Sequence, residues 1–85
     1  MAKYLMNCHN YSPIVAGDTL AEALMNYLEN WTTNGLPIEQ GTYEALTNGL
    51  TVKQLVEFVN VIIGDDYSSK QIKDIYKLEK TEKIY

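Results

Sequence analysis

The chain lacks arginine altogether, and cysteine, histidine and phenylalanine each occur only once. Its basic side chains are seven lysines, which cannot make the flat two-pronged contacts by which arginine binds phosphates and guanine. One cysteine excludes an internal disulfide and fits a reducing compartment. One cysteine and one histidine also cannot supply the four ligands of a structural zinc site. Arginine-based nucleic-acid recognition, disulfide-stabilised folds and zinc fingers are therefore excluded.

The common signatures of catalysis and of membrane insertion are missing too. Cys8 and His9 are adjacent, and on a strand they would point to opposite faces. None of the five glycines belongs to a phosphate-binding loop, and no spacing singles out an acid–base pair of carboxylates. No run approaches the ~20 apolar residues of a membrane span, and the N-terminus lacks the layout of a secretion signal. We therefore expect a non-enzymatic cytoplasmic protein without cofactor or metal ion.

The composition is that of one small folded domain with an uneven charge. Its 85 residues are 46% hydrophobic and 21% charged, and the net charge is −4. Residues 1–69 hold two lysines and eight acids, net −6, whereas residues 70–85 hold five lysines and three acids, net +2. An acidic body repels nucleic acid and anionic lipid and attracts basic proteins. We expect a single compact domain over residues 1–85, with a larger, basic protein as its partner.

Both ends of the chain show strand patterns. Residues 2–10 alternate between two sets of side chains, which is typical of a strand. Pro13 is expected to follow its end, because proline cannot donate a ladder hydrogen bond. Residues 72–84 also alternate, although residues 68–71 fit the capped start of a helix as well. We favour the strand, paired with the N-terminal one.

Two segments show the capped amphipathic pattern of helices. Thr19 with Glu22, and Thr51 with Gln54, have the spacing of capping boxes, in which each side chain binds a backbone amide that the helix leaves unpaired. Apolar residues recur at helical spacing over residues 19–33 and 51–63. A weaker pattern predicts a short helix over residues 41–48. The predicted fold is an α+β domain in the order β-α-α-α-β, with helices packed on a two-stranded antiparallel sheet.

The candidate partner-binding residues lie at the end of the second long helix and just after it. Val61 lies roughly opposite the apolar stripe of that helix, on the polar side that also carries Glu57. The plainer interpretation of Val61 is an ordinary surface valine, and the alternative is a contact with a partner. Asp65, Asp66 and Tyr67 follow in an acidic loop that lacks the glycine and distal glutamate of a calcium site. The plainer interpretation of this loop is a solvated connection. Because tyrosine offers a large contact area at small entropic cost, we expect these five residues to contact a partner.

Residues 41–58 support an alternative function. Their sequence, GTYEALTNGLTVKQLVEF, resembles a helix-turn-helix motif in the spacing of Ala45, Gly49, Leu50, Leu55 and Phe58. Glu44 and Asn48 stand where that motif places apolar residues. The polar side of the second helix would present Lys53 as its one positive charge, which neutralises few phosphates. The resemblance implies a DNA-binding regulator, whereas the charge argues against nucleic acid.

The small size, the acidic body and the seven tyrosines resemble the profile of small phage or mobile-element inhibitors of host defence or replication proteins. No motif carries this resemblance. The leading hypothesis is therefore a noncatalytic protein-binding module that occupies a surface of a larger protein. The alternatives are the DNA-binding regulator and a structural homo-oligomer, joined through an edge strand or through apolar helix faces.

Overall fold

The computed structural model describes residues 2–31 and 45–85. The N-terminal part contains strand β1 (Ala2–Cys8), strand β2 (Ile14–Gly17) and helix α1 (Leu20–Trp31). The C-terminal part contains helix α2 (Val52–Ile63), a 3-10 segment (Asp65–Lys70), strand β3 (Ile72–Lys77) and strand β4 (Glu82–Lys83). Residues 45–47 are helical and residues 48–49 form a turn, so the predicted helix over 41–48 lies only partly within the described residues.

The four strands form one antiparallel sheet in the order β2-β1-β3-β4. The pairing of the N-terminal strand with the C-terminal segment is thereby confirmed. The register between β1 and β3 shifts at one point. Asn7 faces Asp74, but Cys8 faces Ile72, so Lys73 is an extra residue in β3. This bulge turns both Ile72 and Ile75 toward the core, where a regular strand would place them on opposite faces.

The α+β class is confirmed, but the two-stranded sheet and the β-α-α-α-β order do not match the structure. Pro13 does not stop the pairing of strands. A proline lacks only the backbone N–H donor, and the Pro13 carbonyl accepts the Met6 amide at 3.0 Å. The chain therefore turns back after β1 and forms β2. The strand predicted over residues 72–84 is instead β3 and β4, joined by a tight turn that includes Thr81 at a φ of 50°.

The helices pack on the sheet through one continuous core. α1 contacts β1 and β2 as well as α2. The buried apolar side chains of this core are Tyr4, Met6, Cys8, Val15, Ala23, Leu24, Met25, Tyr27, Leu28, Leu55, Val56, Val59, Ile63, Ile72 and Ile75. They come from both helices and from three strands, so each element buries its apolar side against the others.

Both predicted helix starts are observed, one of them in a modified form. The Thr51 hydroxyl accepts the Gln54 amide at 3.1 Å, and the Gln54 side chain accepts the Thr51 amide at 3.0 Å. At α1 the Thr19 hydroxyl accepts the Glu22 amide at 3.1 Å, but the Glu22 carboxylate accepts the amide of Asp18, one residue earlier than predicted. Each side chain satisfies an amide that has no partner within the helix.

Asn60 joins α2 to the start of β3. The Ile72 amide donates to Asn60 Oδ1 at 2.9 Å, and Asn60 Nδ2 donates to the Ile72 carbonyl at 3.2 Å. Gln71 Nε2 donates to the carbonyls of Asn60 and Gly64, at 3.4 and 3.3 Å, near the end of α2. These four bonds anchor the 3-10 segment at both ends, and so they fix where Tyr67 lies relative to α2.

Candidate functional site

Helix α2 has an apolar residue at the centre of its outer face. Leu55, Val56, Val59 and Ile63 are buried, and at 100° per residue Val61 lies directly opposite the middle of this set. The Val61 side chain is 79% exposed, the highest value among the exposed large hydrophobic side chains of the described residues. A helix packed on one side normally places polar residues at such a position. Val61 is therefore not explained by the fold alone.

Val61 lies between two open, shallow depressions. One is lined by Leu50, Gln54, Glu57, Phe58 and Val61, and we call these five residues the α2 outer patch. Leu50 is 37% exposed and Phe58 is half-buried, so the depression has apolar walls with a carboxylate at its edge. The other depression is lined by Asn60, Val61, Gly64 and Gln71. The Val61 side chain thus forms a ridge that a partner surface can contact from both sides.

The predicted partner-binding residues are only partly brought together. Glu57 and Val61, one helical turn apart, line the same depression. Tyr67 is 55% exposed and belongs to the 3-10 segment, which contacts α2. The backbone of Asp65 and Asp66 also belongs to that segment, but their side chains lie outside the described part of the chain.

The sequence-based prediction missed three members of the patch, namely Leu50, Gln54 and Phe58. The sequence connects Leu50 and Phe58 only with the helix-turn-helix resemblance, and Gln54 only with the capping box at the start of α2. Spacing alone groups only Gln54, Glu57 and Val61, which lie three and four residues apart on α2. These intervals place the three residues on one line along the helix, whereas Leu50 precedes the extended cap residue Thr51 and Phe58 lies beside the line. Lys53 is exposed beside this line, one turn before Glu57.

A second cluster surrounds the single cysteine. Cys8 Sγ lies 3.3 Å from Tyr27 Oη, and both residues are buried. Tyr11 Oη donates to Tyr27 Oη at 3.2 Å, and Tyr27 Oη donates to the Lys70 carbonyl. The Lys70 ammonium lies 4.5 Å from the centre of the Tyr11 ring, within range of a cation–π contact. The cluster ties β1, the turn after it, α1 and the 3-10 segment together.

The electrostatics of this cluster favour neutral side chains. Burial raises the pKa of the Cys8 thiol and outweighs the opposing effects of the Tyr27 hydrogen bond and the Lys70 charge. Burial also raises the pKa of Tyr27 well above its ordinary value, and the hydrogen bonds from Cys8 and Tyr11 add to the shift. A reactive cysteine needs the opposite shift, because only the thiolate is nucleophilic. We interpret the cluster as a structural contact.

We expect Cys8 to react slowly with iodoacetamide at pH 9 in the folded protein, about tenfold or more slower than in denaturant. An unfolded thiol is about half ionised near that pH. The folded thiol has a raised pKa, so a smaller fraction of it is ionised at the same pH. For the same reason the free energy of unfolding falls as the pH rises above about 9, because the unfolded chain then releases protons that the folded chain retains. Mass spectrometry of the alkylated chain measures the first effect, and denaturant titrations at increasing pH measure the second. Equal alkylation rates with and without denaturant would contradict the prediction.

A larger cavity, of about 490 Å³, lies between the start of α1 and residues 47–55. Among its lining groups, the Thr19 hydroxyl and the Glu22 carboxylate already bind the amides at the start of α1. Within residues 2–31 and 45–85, no group of three or more His, Cys, Asp and Glu is placed to hold a metal ion. In the same residues, no helix has the length and apolar character needed to cross a bilayer. We therefore assign no ligand to this cavity.

No family model, curated protein or solved structure matches this chain. The surface of the chain itself is therefore what indicates a function. The α2 outer patch is the feature that the fold leaves unexplained, because Val61 faces away from the core and is highly exposed, next to Leu50 and to Phe58, which packs partly against the core. The charge of the chain provides a second line of argument.

Proposed function

We propose that this protein is a noncatalytic cytoplasmic binding module that uses the α2 outer patch to occupy a surface of a larger, basic protein. The exposure of Val61 at the centre of that patch is the observation that carries the proposal. Burying an exposed valine side chain contributes roughly 1.5–3 kcal/mol, and Leu50 and Phe58 add apolar contact beside it. Apolar groups that cluster on a surface and are edged by polar ones are typical of protein-binding sites.

Charge supports the choice of a basic partner. Glu57 lies at the edge of the patch, and residues 1–69 together carry a net charge of −6. A lysine or arginine at the rim of the partner surface would pair with Glu57 while apolar side chains contact Val61. Such pairing mainly raises the association rate and fixes the orientation of the complex. Tyr67 is 55% exposed on the 3-10 segment, which contacts α2, and tyrosine is a residue enriched at binding sites.

The mode of action would be occlusion. A chain of 85 residues whose single cysteine is buried with a raised pKa can act on a larger protein by covering the surface that another molecule needs. This is the mode expected of a small phage or mobile-element inhibitor. The DNA-binding alternative is weaker, because the outer face of α2 has one positive and one negative charge to offer to a phosphate backbone.

The test is affinity capture from the native cell with the purified chain as bait. We expect the wild-type chain to retain one defined basic protein, identified by mass spectrometry, that survives nuclease treatment. Val61→Lys should reduce its recovery by about tenfold or more, because the variant places a charge where an apolar side chain is buried. Raising the salt concentration should also release the partner, since the Glu57 contact is screened.

Asn10→Lys is the matched control, because it adds the same charge at an exposed position in the turn after β1. It should leave recovery unchanged, and both variants should keep the melting temperature of the wild type within a few degrees. Equal recovery by wild type and Val61→Lys would refute the α2 outer patch as the site. Recovery that disappears with nuclease would favour the DNA-binding alternative instead.

A further inference from the structure

The outer face of α2 is complementary to itself. With the residue just before its cap included, this face presents an apolar, a positive, a negative and an apolar side chain. These are Leu50, which precedes the cap residue Thr51, and Lys53, Glu57 and Val61 of α2. Lys53 and Glu57 are both exposed, and Leu50 and Val61 are among the exposed large hydrophobic side chains. When the order is reversed, apolar positions meet apolar positions and the positive position meets the negative one.

A two-fold axis perpendicular to α2 produces this reversal. Two copies of α2 running antiparallel and centred near residue 55 place Val61 against Leu50 of the second copy, and Lys53 against Glu57 of the second copy. At 100° per residue, Lys53 and Glu57 both lie to the same side of the line through the patch centre. The two-fold axis keeps that side the same in both copies, so Lys53 of one copy is adjacent to Glu57 of the other. Within the helix, the contact line from Lys53 to Val61 would be about 12 Å long, from the rise of 1.5 Å per residue over eight residues, and Leu50 would lie beyond its N-terminal end.

We propose that, in the absence of its partner, the protein forms a weak antiparallel homodimer through the α2 outer patch. The occupant of the patch is then a second copy of this chain, held by two apolar contacts and two Lys53–Glu57 ion pairs. The dimer covers Val61, which shields the apolar surface and makes the partner compete for it. The inference goes beyond the proposed function, because self-association of this patch requires no other protein.

The edges of the sheet are poorer sites for self-association. The outward carbonyl of Ala16 in β2 accepts a hydrogen bond from Asn26 Nδ2 of α1 at 2.8 Å, so α1 already occupies part of that edge. The opposite edge, β4, consists of Glu82 and Lys83 alone. Short, charged edge strands are features that discourage strand pairing between molecules. These features favour the α2 outer patch over an edge-strand dimer.

The test is sedimentation equilibrium of the wild-type chain and of two charge-reversal variants, from about 10 µM to about 1 mM. We expect the wild type to shift from monomer to dimer within this range. Lys53→Glu and Glu57→Lys should each weaken the dimer by about tenfold or more, because each places like charges together at two symmetric contacts. The two variants change the net charge of −4 in opposite directions, to −6 and −2, so general repulsion cannot explain a loss in both.

Mixing provides the matched control. An equimolar mixture of Lys53→Glu and Glu57→Lys should associate, because both pairs across the two-fold axis are then of opposite charge. The double variant Lys53→Glu with Glu57→Lys should dimerise as the wild type does. A wild-type chain that stays monomeric up to about 1 mM would overturn the inference, and so would a mixture that associates no better than its components. Partner capture is measured separately, so failure of the dimer and failure of the proposed function are distinguishable.

Discussion

Leu24→Ala lowers the free energy of unfolding by about 2–5 kcal/mol, the range observed for buried leucines. Leu24 is fully buried in α1, at 0% exposure, in the core that joins both helices to the sheet. Removing three carbon atoms there forfeits their transfer from water and leaves a cavity that the surrounding elements fill only in part. Chemical denaturation followed by circular dichroism measures the loss.

Val61→Ala is the control for this experiment, because it shortens an apolar side chain of the outer face. We expect a change within about 0.5 kcal/mol, as for most surface substitutions. Leu55→Ala should also be destabilising, but at the low end of the Leu24 range, since Leu55 borders the cavity at the start of α1. Similar values for Leu24→Ala and Val61→Ala would mean that the core has been placed on the wrong side of the helices.

Gly17→Ala destabilises the fold by about 1–3 kcal/mol, the typical cost of forcing an extra carbon into a packed site. A Cβ at this position would lie 2.6 Å from the Ala23 nitrogen and 3.1 Å from the Ala23 Cα, both backbone atoms of α1. Backbone atoms cannot rotate away as the end of a side chain can, so β2 and α1 must separate. Denaturant titration measures the loss. Hydrogen exchange should show reduced protection at the start of α1, which locates the effect.

Gly49→Ala separates crowding from backbone strain. Gly49 has a φ of 84°, and nothing lies within 4 Å of a Cβ built there. Its substitution should cost about 1 kcal/mol from backbone conformation alone and should leave the protection of α1 unchanged. A Gly17→Ala chain as stable as the wild type would show that the β2–α1 contact is looser than this distance implies.

The helices were predictable because their signals are local. Thr51 and Gln54 are three residues apart, and their hydrogen bonds form within one turn, whatever the rest of the chain does. The same holds for the apolar spacing that assigned Leu55 and Val59 to the core. Strand β1 was predictable for a similar reason, since alternation within one segment reports that one face is buried.

The sheet was only partly predictable because its pairing is not local. The four residues of β2 are too few for a clear alternation, and Pro13 reads as a break until its carbonyl is seen to accept the Met6 amide. The bulge at Lys73, which turns Ile72 and Ile75 to one side, depends on the register with β1. The residue at which β3 ends depends on the turn before β4, so an alternating pattern did not predict this end either.

Some residues of the candidate site were also predictable from the sequence, and others were not. The exposed position of Val61 and its neighbour Glu57 followed from the helical period alone. The contribution of Leu50 depends on how the chain enters α2, and that of Phe58 depends on how far the core reaches around the helix. Neither can be read from spacing, because exposure is decided by the neighbouring elements and not by the helix itself.

The amino-acid sequence determined the α+β class, the starts of both long helices, the acidic character and the outward position of Val61, because periodicity, capping and charge act over a few residues. Tertiary structure alone decided that the sheet has four strands, that Gly17 packs against the α1 backbone, and that Leu50 and Phe58 join Val61 in one patch. These features arise from contacts between residues distant in the chain, and no local pattern records such contacts.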